Sequence, residues 1–263
     1  MLAAQRRDLL LTRLRDEGRI VAKDLATELG ISEDSIRRDL RDLAAEGLCQ
    51  RVYGGALPAA RAEADYATRR RVEPDSKSAV ARRAADLIRP GMTVILDGGT
   101  TTLAVVQQLP PDLAATVVTH SPTIAAALVP HPAIDIYLIG GRVYKHSAVS
   151  CGAAAAEAAA GINADLFLLG VTGVHPDAGL TTGDPDEAAM KRTLSRRAAD
   201  TYVLASNEKI GAVSDFTVLP LDELAGLVTD ADPESPQLRR LATRTTILRA
   251  GNPAAVDRPA KLS

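Results

Sequence analysis

The sequence is poor in aromatic and sulfur-containing residues: no tryptophan, two phenylalanines, five tyrosines and two cysteines in 263 residues. So few rings argue against an aromatic stacking platform for single-stranded nucleic acid. Cys49 and Cys151 lie far apart, which excludes a disulfide scaffold. Neither they nor the four histidines show metal-ligand spacing, so no metal and no cofactor is expected. No window approaches the roughly 18 apolar residues of a membrane span, and the start MLAAQRRDLL holds no long apolar stretch. The expectation is a cytoplasmic protein with no membrane partner. An excess of basic charge is lacking too: 31 Lys and Arg stand against 33 Asp and Glu, a net charge of −2. Any nucleic-acid site must therefore be a local patch. G-x-S-x-G and Gly-Lys-Ser/Thr are also absent, so neither a nucleophile elbow nor a Walker loop is encoded.

What is present reads as two units. Residues 1–57 are dense in charge, with leucines at helical spacing. Residues 58–76 contain two prolines and almost no apolar periodicity, the pattern of a linker. From 77 to 250, short apolar runs alternate with helix-like segments, and 251–263 is expected to be a disordered tail. Strands are predicted at Thr93–Leu96, Thr116–Thr119, Asp135–Ile139, Asp165–Leu169, Thr201–Ala205, Leu227–Thr229 and Thr245–Leu248. Helices are predicted at Ser78–Ile88, Thr123–Leu128, Ala153–Ala160 and Asp186–Ala199. Strands alternating with helices imply an open, Rossmann-like α/β fold with a mostly parallel sheet. Such sheets bind ligands at the carboxyl ends of their strands.

The first unit predicts a winged helix-turn-helix. A helix over Gln5–Arg15 ends at Gly18, and a second over Ala22–Leu29 ends at Gly30. Ser32 is placed to cap a third helix by accepting a backbone N–H. In that helix Ile36, Leu40 and Leu43 share one stripe, while Asp34, Arg37, Arg38 and Arg41 point away from it. Leu48–Leu57 then reads as a hairpin carrying Arg51 and Tyr53, with Gly54 and Gly55 supplying positive φ angles. The third helix would enter the major groove of double-stranded DNA and the wing would touch the flanking backbone.

In the second unit the strongest word is Ile95-Leu96-Asp97-Gly98-Gly99-Thr100-Thr101-Thr102. Glycines let backbone approach a ligand, amides at a helix start form an anion nest, and threonine hydroxyls donate to phosphate oxygens. A tight strand-to-helix turn with a threonine cap would give the same word. Ser121, Gly140-Gly141, Gly170-Val171-Thr172-Gly173, Thr181-Thr182 and Lys209 are expected at the same sheet edge. Glu187 and Lys191 lie four apart on one helix, a spacing that also suits a surface ion pair.

The words LATELGISEDSIRRDLRDLAAEGLCQRVYGGAL, LDGGTTTLAV, VVTHSPTIAAAL, LIGGRV, ADLFLLGVTGV, GLTTGDPDEAAMKR and SNEKIGA together resemble the DeoR family of bacterial transcription regulators. The resemblance implies a winged-helix DNA-binding domain followed by an effector domain similar in fold to sugar-phosphate isomerases, with phosphorylated sugars as the usual effectors. It implies DNA contacts at Ser35, Arg37, Arg38, Arg41 and Arg51. Asp39, also in the motif, is read as structural, paired with an arginine of the bundle. Effector contacts are expected at Asp97, Gly99, Thr100, Thr101, Thr102, Ser121, Gly140, Gly141, Gly170, Thr172, Thr181, Glu187, Lys191 and Lys209. A homodimer or homotetramer and control of a carbohydrate operon are further expectations. Three words depart from the family: Thr119-His120-Ser121 replaces Thr-Asn-Ser, Ala205-Ser206-Asn207-Glu208-Lys209 replaces Ala-Asp-Ser-Ser-Lys, and Tyr53 stands where histidine is common. His120 is compatible with bonding a sugar hydroxyl or with a structural role.

The alternative is an isomerase-like enzyme fused to a DNA-binding module. Sugar isomerisation needs a carboxylate base beside the carbon that loses its proton. The stretch Gly170–His175, where related isomerases place carboxylates, has none. The expectation is therefore a sensor without catalytic residues.

Overall fold

A computed structural model describes residues 3–60 and 66–251 of the chain; the expectation of a disordered tail falls, beyond Gly251, outside the described residues.

The N-terminal unit runs α1 (Ala3–Glu17), β1 (Ile20–Val21), α2 (Ala22–Leu29), α3 (Glu33–Ala45), β2 (Cys49–Val52) and β3 (Gly55–Pro58). Leucine and isoleucine spacings of three and four place Leu10, Leu14, Leu25, Ile36, Leu40 and Leu43 on facing helix stripes, and all six are buried in one small core. Gly30 takes φ 64° after α2, a left-handed conformation open to glycine without a Cβ penalty. Ser32 caps α3, its Oγ accepting the Ser35 N–H at 3.3 Å. In the hairpin Val52 pairs with Gly55, and β1 adds along β3. One expectation is corrected here. Gly54 alone is left-handed, with φ 82°, and the turn is Tyr53-Gly54. Gly55 lies in the strand, and glycine is needed there because a Cβ would stand 1.7 Å from the Ile20 carbonyl oxygen.

The rest continues with α4 (Tyr66–Arg71), α5 (Pro74–Ala85), β4 (Thr93–Leu96), α6 (Thr100–Val106), β5 (Ala115–Thr119), α7 (Pro122–Leu128), β6 (Ile134–Leu138), β7 (Arg142–Tyr144) and β8 (Val149–Cys151). It ends with α8 (Ala153–Ala159), β9 (Ala164–Gly170), β10 (Gly173–His175), β11 (Gly179–Thr182), α9 (Pro185–Ser195), β12 (Ala198–Leu204), β13 (Phe216–Thr217), β14 (Gly226–Thr229), α10 (Pro236–Ala242) and β15 (Ile247–Arg249). Seven strands form a parallel sheet in the order β15-β14-β12-β9-β4-β5-β6. Side chains alternate across a strand, and both sets are apolar. Val94, Leu96, Leu166 and Leu168 pack with α5, α6 and α7. Ile95, Phe167, Leu169 and Val203 pack with α8, α9 and α10. That is a doubly covered sheet, and it puts every strand's carboxyl end on one edge.

The predicted helix Asp186–Ala199 overran. α9 stops at Ser195, and Ala198 instead pairs with Ala164 of β9, a tertiary pairing that overrides the helix propensity of the Arg-Arg-Ala-Ala run. The antiparallel pair β7–β8 and the small sheet β10-β11-β13 were not expected, because strands of two to four residues leave no periodic signal.

Within the segment read as a linker, most of the described residues are structured. Pro58 closes β3, Ala59 bridges Val213, residues 66–71 form α4, and Pro74–Ser76 begin α5. Its start fastens the N-terminal unit to the α/β unit. The Ala60 N–H donates to the Val213 carbonyl, and the Val213 N–H to that of Pro58, each at 2.9 Å. Gln50 Nε2 donates to Asp215 Oδ1 at 2.9 Å. His175 is a third fastening. Its Nδ1 accepts the N–H groups of Asp177 and Ala178, so Nε2 carries the proton and donates to the Gly18 carbonyl at 3.1 Å.

Burial holds the His175 pKa below the ordinary histidine value, against the opposing pull of the Gly18 carbonyl. A depressed folded-state pKa means that the stabilisation is present above about pH 6.5 and is lost as pH falls below it. Between pH 7.5 and 5.5 the wild type is therefore expected to lose more melting temperature than His175→Asn, by about 2–4 °C per kcal/mol of contact. Equal losses would remove His175 from this role.

Candidate functional site

The carboxyl edge of the sheet is organised around a buried carboxylate. β4 delivers Asp97, fully buried, between the ends of β5 and β9. Its oxygens accept the N–H groups of Gly98 and Gly170, each at 2.8 Å, His120 Nε2 at 2.7 Å and Lys191 Nζ at 2.5 Å. His120 Nδ1 donates to the Ser150 carbonyl at 2.9 Å, so both ring nitrogens face acceptors. Lys191 also reaches Glu187 at 3.3 Å, and Glu187 accepts the Thr182 hydroxyl at 2.8 Å. Burial works to raise the Asp97 pKa, but the Lys191 charge and the His120 N–H outweigh it and hold the carboxyl at about 2. Desolvation opposes the charge on Lys191, yet Asp97 and Glu187 keep its pKa above the usual lysine value.

In front of this network opens a pocket of about 750 Å³, counting its mouth. Of the residues expected at the effector site, Gly99, Thr100, Thr101, Thr102, Gly170, Thr172, Glu187, Lys191 and Lys209 line it. Five do not. Asp97 sits behind the wall with its oxygens taken. The Ser121 hydroxyl is spent on Ala148 O at 2.8 Å and Thr123. Thr181 Oγ1 accepts the Ser214 N–H. Gly140 and Gly141 belong to the β6–β7 connection, where Gly141 has φ 135°. Asp97, Ser121 and Thr181 sit near the strand ends but are buried against protein partners, a distinction invisible in linear sequence, whereas Gly140 and Gly141 are exposed outside the pocket. His120 likewise is structural: it is fully buried between Asp97 and Ser150.

The pocket gains residues that sequence reasoning missed, Arg69 and Val72 from the supposed linker, Lys77, Ser147 and Glu208, and takes in Gly98, Val171 and Thr182 from words already expected at this edge. Lys77 Nζ donates to the Arg69 carbonyl at 2.5 Å and to that of Val72, capping the end of α4. Lys209 Nζ contacts Thr101 Oγ1 at 3.3 Å. Desolvation pushes the Lys209 pKa down to about 8; Glu208 opposes this, while Lys77, Arg69 and Lys191 add to it. Glu208 Oε1 accepts the Ser206 hydroxyl at 2.7 Å, while its Oε2 is buried without a protein partner. The run of arginines Arg69–Arg71 was the one available hint that the linker reaches a site.

The second candidate face lies on the N-terminal unit. α3 buries Ile36, Leu40 and Leu43 and exposes Arg37, Arg38 and Arg41. Arg37 is held by Glu33 at 2.6 Å one turn earlier, whereas no ion pair among the described residues engages Arg38. Ser35 shares a hydrogen bond with Ser32 at 2.9 Å. Arg51 and Tyr53 stand exposed on the wing, the tyrosine completely so. Asp39 binds Arg6 of α1, Nη2 to Oδ1 at 3.0 Å, which is the structural pairing expected of it.

Residues 6–61 match the DeoR-like helix-turn-helix domain, and residues 72–231 match the DeoR C terminal sensor domain. The chain belongs to the DeoR family. Its DeoR-type relatives include an uncharacterized HTH-type transcriptional regulator FruR of Bacillus subtilis (strain 168), 33% identical over 234 residues that span 88% of this chain and 93% of that protein. The HTH-type transcriptional repressor GlcR of the same organism is 32% identical over 235 residues, 89% of this chain and 90% of that one. Among solved structures, ribose 5-phosphate isomerase A from Methanocaldococcus jannaschii aligns over 52% of this chain and 54% of its own with 17% identity and a TM-score of 0.39. No helix among the described residues is long and apolar enough to cross a membrane.

Proposed function

We propose that this DeoR-family protein is a cytoplasmic transcriptional regulator, a repressor of a carbohydrate-utilisation operon, whose binding to double-stranded operator DNA is controlled by a small phosphorylated sugar. Residues 1–57 read DNA through α3 and the wing, and residues 77–250 hold the effector. The relatives' names speak for a regulator rather than an enzyme. The carboxylates nearest the pocket's inner wall, Asp97 and Glu187, are already engaged by Lys191, His120 and Thr182.

One observation carries the effector reading. Of the charged side chains that line the pocket, Arg69, Lys77, Lys191 and Lys209 stand against Glu187 and Glu208. That leaves a surplus of two positive charges, matching a phosphate monoester of about −1.5 to −2 at pH 7. The hydroxyls of Thr100, Thr101 and Thr172 line the same space and suit phosphate or sugar oxygens. The unsatisfied Glu208 oxygen suits a sugar hydroxyl, since a buried acceptor without a donor is costly. Coupling to DNA runs through short covalent routes. Thr172 lies three residues before His175, and Lys209 four before Val213, and both ends fasten the N-terminal unit.

The test is calorimetric titration with matched pairs of sugar monophosphates and unphosphorylated sugars. Phosphorylated members are expected to bind and their partners not. Lys209→Met should lose binding tenfold or more and leave ligand-free operator affinity intact. With a lysine pKa near 8, the protonated fraction falls about tenfold between pH 7 and 9, and affinity should fall with it. Phosphate-independent binding, or a Lys209→Met protein with unchanged affinity, refutes the effector reading.

A further inference from the structure

β6 ends the seven-stranded sheet and hydrogen-bonds only to β5. Its outer N–H and C=O groups therefore have no strand partner. The strand carries Ile136, Tyr137 and Leu138 in sequence, exposed by 37%, 52% and 46%. Val129, just past α7, and Val143, on β7, are exposed as well; these five are half of the ten large apolar side chains left exposed among the described residues. Natural sheets blunt their edges with lysine, proline, bulges or short strands. Over its five residues β6 has no lysine, proline or bulge and only one charge, Asp135, whereas the opposite edge, β15, has three residues and ends in Arg249.

We propose that β6 is the dimer interface, pairing antiparallel with β6 of a second copy of this chain about a two-fold axis at Tyr137. An identical strand is the partner that this sequence fits. In antiparallel pairing, opposed side chains share a face. With the axis at Tyr137, Ile136 meets Leu138 of the other copy twice on one face, and the two Tyr137 rings meet on the other. The only charge on the strand, Asp135, then faces the copy's Ile139 position. The two Asp135 residues lie four positions apart, about 13 Å at ~3.4 Å per residue, beyond the Debye length of about 8 Å. The register thus joins apolar to apolar at positions 136–138, sets each Asp135 against Ile139 and separates the like charges. It is isologous, as a closed dimer requires, and it yields one continuous sheet of fourteen strands.

The experiment uses the full chain and two independent variants. Sedimentation equilibrium of the double variant Ile136→Lys, Leu138→Lys is expected to give half the wild-type mass, with an unchanged circular dichroism spectrum. Tyr137→Cys, on the axis, is expected to form an intermolecular disulfide with itself under mild oxidation, because opposed Cα atoms stand about 4.5–5.5 Å apart. The native cysteines are both buried and do not compete. A monomeric wild type, an unchanged mass in the folded double variant, or no self-cross-link at Tyr137→Cys overturns the proposal. If the double variant does not fold, the cross-link alone decides.

Discussion

Lys191→Met is expected to destabilise the α/β unit by about 3–5 kcal/mol, the usual result of removing one partner from a buried ion pair. Native domains have only about 5–15 kcal/mol in total, so the variant should lose a large share of its stability and melt well below the wild type. The cause is Asp97. Its side chain has no solvent access, and without the ammonium at 2.5 Å a buried carboxylate is left with two amides and one imidazole. Pairing the change with Asp97→Asn removes the orphaned charge. The double variant should therefore be more stable than Lys191→Met alone, a non-additivity that a double-mutant cycle measures. Strict additivity, or a Lys191→Met protein that melts like the wild type, would show the network to be marginal. The pH dependence has a definite sign. Asp97 is held at about 2, below its unfolded value, so its stabilisation is full above about pH 4 and is lost as pH falls towards 2.

The second large effect concerns DNA. Replacing Arg37 and Arg38 together by alanine is expected to abolish sequence-specific operator binding while leaving effector binding and the melting profile unchanged. Both side chains are exposed on α3 and neither packs in its core. An arginine that reads guanine N7 and O6 contributes about 1–3 kcal/mol of discrimination, whereas a phosphate contact mainly lowers the salt slope. The two arginines should differ when replaced singly. Arg37 must leave Glu33, at 2.6 Å, before it can serve a base, so Arg38→Ala is expected to cost more. Electrophoretic mobility shifts on specific and scrambled duplexes, at two salt concentrations, separate the cases. Retention of specific binding by the double variant would move the reading surface elsewhere.

Much of this architecture was legible in advance, and the legible parts share a cause. Most strands of the parallel sheet are legible because a strand buried on both faces is a short apolar run, as in Asp165–Leu169, while the edge strand β6, exposed at four of its five residues, is legible from its apolar composition alone. α3 was found because Ser32, Ile36, Leu40 and Leu43 combine a cap with a stripe. What stayed hidden depends on who faces whom. Glu187 and Lys191 four apart could have been a surface pair; burial of Lys191 to 2% exposure makes them part of a core network. Asp97 carried the strongest motif yet faces inward, and Lys77 carried no motif yet reaches the pocket because α4 turns its carbonyl end towards it. Chain segments of irregular composition, such as 58–76, conceal their structure because their partners are distant in sequence.

Val213 and Lys209 occupy one short stretch of backbone, the first braced against the root of the hairpin and the second reaching the threonines. On the proposed effector reading such a stretch would act as a tie-rod: an anion that drew the ammonium inward would also pull on the strand leading to Tyr53. The hairpin tip and the cationic cup would thereby be geared together without any need for a loose neck, and shortening or lengthening residues 209–213 by one residue should uncouple them while both ends still fold.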